Sequence, residues 1–310
     1  MLLAALSVDL DEIPCYAAIH GLDASLPAST DTAHVVYDRA LGRLSALFAR
    51  LEVPCTFFAI GSDLERAENG AKLRTLREAG HEIASHSQSH YYDLTRRSGS
   101  VVRSEIEDAH RAIERATGKA PVGFRAPGYT ITDAVFSVLE ELGYAYDSSV
   151  FPCPSYFAAK ALAIYAYRAR GRESRSIVDD PRVLTAPADP YRIGHPYWRR
   201  GGGLLELPIG VTRDGTGRMP YIGTSVVLSG AAGARVLTEA AVGRPLVNLE
   251  LHGIDLADSA EDGLSWLVPH QPDLRRPVRS KEAALESAIV TLRRHGYRFV
   301  TLEQAARELS

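Results

Sequence analysis

"REAGHEIASHSQSH", residues 77–90, joins the end of a helical pattern, a glycine stop, a short apolar run and three of the chain's ten histidines. Gly80 stands where a helix ends in a left-handed residue, and "HEIASH" after it has the length and composition of a short buried strand. Histidine is a costly core residue, so clustering at a strand end needs a reason. Two readings compete: a hydrogen-bonded polar loop, or a pair of imidazole ligands, because His86 and His90 are four residues apart and their rings can converge on one ion.

The same strand–helix rhythm extends in both directions. "LLAALSV" reads as a first strand, followed by the helical "VVYDRALGRLSALFARLEV", the strand "PCTFFAIG" and the helical "GAKLRTLREAG". Beyond the histidines come a long amphipathic helix in "SVVRSEIEDAHRAIERATG", then "VGFRAP", the helix "ITDAVFSVLEELG" and the strand "YAYDSS". Near the C-terminus "PLVNLELHG" is a strand, "SKEAALESAIVTLRRHG" a helix, and "YRFVTLEQAARE" a last strand entering a last helix. Gly118 and Gly143, like Gly80, sit at helix ends. Alternation of this kind means parallel strands with helical crossovers, hence an α/β fold, either a β/α barrel or a doubly wound sheet. Residues 150–203 break the rhythm with dense proline, tyrosine and arginine. They read as an irregular insertion in a single domain spanning 1–310, with little contribution to its core.

Composition narrows the function classes. The chain has 310 residues, 45% hydrophobic and 24% charged, with a formal net charge of −3, so no electrostatic footprint for nucleic acid is present. Three cysteines without paired spacing suit a reduced, cytoplasmic protein. "MLLAALSVDLDE" lacks the basic start of a secretory leader, and no apolar run is long enough to span a bilayer. "YFAAKALAIYAYRAR", residues 156–170, reads as a surface or lid helix, with peripheral contact at the inner membrane surface as its alternative.

Polar residues fall at the C-terminal ends of the expected strands: Asp9 and Asp11, His86 and His90, Arg125, Asp147 and His252. In a β/α barrel those ends share the face on which active sites are built. Two imidazoles and a carboxylate with an open position make a hydrolytic zinc site. The "DLD" of Asp9–Leu10–Asp11 supplies a carboxylate for the metal and a spare one, although a lone DxD also suits a solvated turn. Amide hydrolysis further needs a base for the attacking water and an acid for the departing amine. His252 fits the acid.

"VDLD", "HSQSH", "FRAPGY", "YDSS" and "LELH" occur in the order and approximate spacing of the polysaccharide deacetylases (NodB-homology, carbohydrate esterase family 4). "CTFFAIG" and "REAGHEIASHSQSH" resemble that family's second strand and its HxxxH motif. The resemblance covers residues 1–150 and 204–310 better than the insertion. It implies a distorted (β/α)7–8 barrel and one divalent metal, commonly zinc, used to hydrolyse an N-acyl amide. Carried over by position, it implies Asp11, His86 and His90 as metal ligands, Asp9 as general base and Arg125 as the residue that holds Asp9 ionised. It implies His252 as general acid and Asp147 as a group that tunes or orients a neighbour.

The family's first motif commonly has adjacent aspartates, whereas Leu10 separates them here. That variant resembles the branch with allantoinase-like members, an atypical bacterial peptidoglycan deacetylase and deformylases of lipid-linked aminoarabinose. The expected substrate is an N-acylated sugar, glycan or glycolipid precursor. The alternatives are a deformylase or ureide hydrolase, and a non-catalytic glycan-binding protein. Tyr156, Tyr191, Tyr197, Trp198 and Tyr221 suit stacking on sugar rings or packing inside the fold. The oligomeric state has no sequence signature.

Overall fold

The structure, a computed structural model, describes residues 2–309. Its strands are β1 (Leu3–Asp9), β2 (Cys55–Ala59), β3 (Glu82–Ser85), β4 (Gly123–Phe124), β5 (Tyr146–Asp147), β6 (Tyr191–Ile193), β7 (Arg200–Glu206), β8 (Leu246–His252) and β9 (Arg298–Phe299). Its α-helices are α1 (Ile13–Ile19), α2 (Leu26–Ser29), α3 (Leu41–Arg50), α4 (Ala67–Glu78), α5 (Gly99–Thr117), α6 (Asp133–Glu141), α7 (Pro154–Ala169), α8 (Gly223–Ala241), α9 (Val278–Arg294) and α10 (Leu302–Leu309). The strands form one sheet in the order β6-β7-β5-β4-β3-β2-β1-β8, with β9 paired to the start of β1. All pairs are parallel except β6–β7.

β1 lies between β2 and β8 and is wholly buried, as its nearly continuous apolar run requires of a parallel strand covered on both faces. Helices α3 and α9 press Leu44, Leu47, Phe48, Leu285 and Ile289 onto β1, β2 and β8. Gly80, Gly118 and Gly143 take φ of +92°, +75° and +74°, ending their helices as the sequence indicates.

The sheet is a curled half-barrel with flanking helices, in keeping with the distorted (β/α)7–8 barrel that the resemblance implies, and it is left open between β7 and β8. The chain after β7 leans onto β5, where Leu207 N–H donates to Asp147 O and Ile209 N–H to Val150 O. Pro208 between them has no N–H for a ladder with β8. The gap is spanned by Asn248 instead: its carbonyl accepts Gly210 N–H at 2.9 Å. Its side-chain amide donates to Ser148 Oγ and Pro208 O, at 3.1 and 3.2 Å. A Cβ on residue 210 would lie 2.3 Å from the Asn248 carbonyl oxygen, so this approach requires glycine.

Residues 150–203 are more ordered than their composition suggests. α7 is a peripheral helix that buries only Ile164. After it, the β6–β7 hairpin brings Tyr191, Ile193 and Tyr197 into a core with Phe136 and Leu139, so the second half of the segment belongs to the domain's interior. α8 has no counterpart among the expected elements. Its glycines and alanines weaken the apolar periodicity, and it bends at Gly230, where φ is +64°. No helix among the described residues is long and apolar enough to cross a membrane.

Tyr197→Ala empties a fully buried site and should cost about 3–5 kcal/mol of unfolding free energy in urea titration. Tyr165→Ser on α7, where the side chain is 71% exposed, should stay within about 0.5 kcal/mol of wild type. Equal effects would show that the hairpin is not part of the core.

Candidate metal centre and active site

Alternation builds the floor of the site. In β1, Ser7 and Asp9 point to the face opposite Leu6 and Val8; in β8, Asn248, Glu250 and His252 alternate with Leu249 and Leu251. The parallel register pairs Ser7 with Glu250 and Asp9 with His252, which stacks the two polar sets side by side inside the curl of the sheet. Asp11 lies two residues beyond β1, and His86 directly follows β3.

The "HSQSH" loop is wound tightly. Ser87 and His90 have φ of +63° and +51°, sparsely populated values for residues with a Cβ. Four hydrogen bonds hold this geometry. Gly61 N–H donates to Ser87 O, Ser62 N–H to Gln88 O, Ser89 N–H to Glu105 Oε2 and His90 N–H to Ser87 Oγ. The outcome is convergence: the Nε2 atoms of His86 and His90 are 3.2 Å apart, and each is 3.3 Å from Asp11 Oδ1.

These three residues make a divalent-metal-binding site. His86 Nδ1 donates to the Arg125 carbonyl at 2.8 Å, which leaves its Nε2 with a lone pair facing the cluster. Asp11 Oδ1 is buried without a hydrogen-bond donor. Three donor atoms aimed at one point, two of them ring nitrogens, need positive charge between them. Burial alone would raise the Asp11 carboxyl, but His90 and His86 outweigh it and hold the group well below the ordinary carboxylate range.

Beside the triad lies Asp9. Its Oδ1 accepts Arg125 Nη1 at 2.6 Å, and its Oδ2 is 3.7 Å from His86 Nε2. The Arg125 guanidinium has no solvent access. It also donates to Ser7 Oγ, Ser148 Oγ and Ser148 O, at 2.9, 2.9 and 2.8 Å, and lies over the Phe58 ring. On the other flank His252 Nε2 is 3.9 Å from Asp11 Oδ2 and 3.4 Å from Tyr129 Oη. Its Nδ1 sits 2.9 Å from Glu250 Oε1. Burial would lower the His252 imidazole, but Glu250, with further help from Asp11 and Asp9, holds it well above its ordinary value. The triad thus has a carboxylate paired with a guanidinium on one side and an imidazole biased toward its protonated form by Glu250 on the other.

Residues 35–146 match the Polysaccharide deacetylase family. A candidate polysaccharide deacetylase from Mycobacterium smegmatis superposes with a TM-score of 0.55 at 19% identity, over 96% of this chain and 92% of that one. The chain has the fold of the polysaccharide deacetylase superfamily. A carbohydrate esterase family 4 pseudoenzyme from Bacillus anthracis shares that fold, with a TM-score of 0.51 at 13% identity over 98% of this chain and 65% of its own. Sequence similarity is more local. A peptidoglycan deacetylase of Helicobacter pylori is 27% identical over 152 residues, covering 48% of this chain and 50% of that protein. A peptidoglycan-N-acetylglucosamine deacetylase of Bacillus cereus is 34% identical over 98 residues, covering 32% and 44%. The chain therefore spans half or less of these curated relatives.

Within this deacetylase fold, Asp9, Asp11, His86, His90, Arg125 and His252 come together, while Asp147 stays outside the cluster. Its carboxylate accepts Ser149 N–H and Oγ–H, both at 2.8 Å, and Ser149 Oγ in turn accepts Ala126 N–H at 2.8 Å. Burial raises both Asp147 and its neighbour Glu206, so the pair retains a proton more readily than free carboxyls do. Asp147 thus fixes the backbone after Arg125 and touches no donor atom of the triad. His81, the third histidine of the opening stretch, accepts Cys55 N–H at 3.1 Å and packs on Phe57, a structural role. Tyr191, Tyr197 and Tyr221 are core residues, not a sugar platform. Tyr156 packs against Tyr129 and Phe151 beside the site. The sequence reading missed Glu250, although "NLELH" displays it: the residue two before a strand-end histidine shares its face.

Arg125→Met leaves Asp9 buried without its partner and should cost about 3–5 kcal/mol in urea unfolding, as when one member of a buried pair is removed. Adding Asp9→Asn to Arg125→Met should recover part of that loss, because the stranded charge is gone. Additive costs in the double variant would show that the two side chains do not interact energetically.

Proposed function

We propose that this protein is a metal-dependent hydrolase of a carbon–nitrogen bond, a deacetylase of an N-acetylated sugar in a glycan or glycolipid precursor, with zinc at Asp11, His86 and His90. The observation that carries the reading is the arrangement of Asp9 with Arg125 and of His252 with Glu250 on opposite flanks of one metal-binding triad. The local similarity to peptidoglycan deacetylases supports the sugar amide as substrate.

A divalent cation held by the triad supplies Lewis acidity and lowers the pKa of a coordinated water toward neutrality. The remaining chemistry belongs to side chains. Arg125 occupies Oδ1 of Asp9 and leaves Oδ2 facing His86 as the atom that takes up the proton of the attacking water. His252, held protonated by Glu250, delivers a proton to the departing nitrogen, since an amine leaves a tetrahedral carbon poorly as an anion. A protein that merely bound glycans would have no use for a histidine–carboxylate pair and a spare carboxylate oxygen aimed at metal donors. The fold itself is neutral on this point, because a pseudoenzyme shares it.

Amine release from an N-acetylated glucosamine oligomer by the zinc-loaded protein is the primary test. Chelation should abolish it and added zinc restore it; turnover indifferent to chelation contradicts the reading. Asp9→Asn should keep the metal and lose about 10²–10⁴ in kcat. Loss of metal and activity together would reverse the roles of Asp9 and Asp11.

The pH profile tests the acid. His252 works while protonated, so activity falls as pH rises through its pKa, which Glu250 raises. Removing that charge in Glu250→Gln should move the basic limb of kcat/KM to lower pH, with metal content unchanged. An unmoved limb would exclude His252 as the group that limits activity at high pH.

A further inference from the structure

A cleft of about 700 Å³ runs from His90 between α1, the loop after β3 and the segment that follows α7. Its lining is basic in a chain whose formal net charge is −3: Arg96, Arg97, Arg168 and Arg175 line it, with Asp93 as the single acid. Asp93 is taken by Arg97, at 2.9 Å. Arg96, Arg168 and Arg175 reach solvent from different elements, and none of them meets a carboxylate among the described residues. At the floor, His90 directs Nε2 to the triad, while its Nδ1 is buried without a hydrogen-bond partner. Guanidinium groups without carboxylate partners around one cleft give it a positive potential that an anion would neutralise, and planar paired donors suit carboxylate and phosphate oxygens.

We propose that this cleft binds an anionic substituent, phosphate or carboxylate, on the sugar whose amide meets the metal centre. The inference rests on the reading of the chain as a hydrolase of N-acyl sugars and adds the substrate's charge to it. Arg96, Arg168 and Arg175 bind the anion, and the floor at His90 leads from it to the triad. No bond is made or broken in the cleft; it sets affinity and register.

The test uses the full zinc-loaded chain and three soluble probes: N-acetylglucosamine, the same sugar with a 1-phosphate, and the same sugar with a carboxylate-bearing ether at O3. Calorimetry should show at least one charged probe binding about tenfold or more tighter than the neutral one, with the preference weakening as salt rises. Whichever probe gains identifies the anion. The Arg168→Ala/Arg175→Ala variant should lose that preference while its zinc content and its affinity for the neutral sugar stay unchanged. A Lys/Lys version should keep part of it. Equal binding of all probes, or a preference retained by the Ala/Ala variant, overturns the proposal. So does a loss confined to anionic phospholipid vesicles with soluble probes unaffected, which would assign the arginines to a lipid surface. Hydrolysis of the neutral sugar is scored separately. Turnover without charge preference defeats this inference alone, whereas charge preference without turnover defeats the hydrolase reading and leaves the anion site standing.

Discussion

A guanidinium without solvent access is expensive, and the Arg125–Asp9 contact is the interaction around which the interior of this half-barrel is arranged. Of the five N–H bonds that arginine offers, those of Arg125 reach Asp9, Ser7 and two oxygens of Ser148. The partners come from two separated places on the sheet: Asp9 and Ser7 from β1, Ser148 from just after β5. Meeting all of them requires the sheet to curl, so the same hydrogen bonds that satisfy the buried charge also set the curvature. Asn248 continues the network through Ser7 Oγ and Ser148 Oγ and bridges the gap that the strands leave open. A breach in this network would act on the fold and on the site together.

Electrostatic balance follows from the same network. Asp9, Asp11 and Glu250 are three buried carboxylates inside one curl of sheet. Arg125 pairs with the first, His252 Nδ1 lies 2.9 Å from the third, and Asp11 faces His86 and His90. Asp9, Glu250 and His252 also lie close enough to present a second set of donors. Arg125 is already in contact with Asp9 there, and its fixed charge opposes a further cation.

How far the sequence foretold this depends on the range of the interactions. The strand–helix rhythm, the glycine helix stops and the strand-end position of His86, His90 and His252 are local features, and the structure contains them. The open edge between β7 and β8 was not visible, because it depends on Pro208 and Asn248 meeting across 40 residues of chain. The β6–β7 hairpin was hidden for a similar reason. Its tyrosines look like surface or binding residues until Phe136 on α6 is placed beside them. Asp147 was grouped with the site by its strand-end position, yet its carboxylate is taken by Ser149, whose hydroxyl accepts the Ala126 N–H: alternation indicates a face and not a contact. Glu250 obeyed the alternation rule and could have been found by it.

The central claim is that Asp11, His86 and His90 hold one functional cation, and elemental mass spectrometry of the purified protein after dialysis against limiting zinc tests it most directly. The account predicts about one zinc per chain in the wild type. His86→Ala, folded by circular dichroism, should retain far less zinc under the same conditions. Full stoichiometry and unchanged affinity in folded His86→Ala would contradict it.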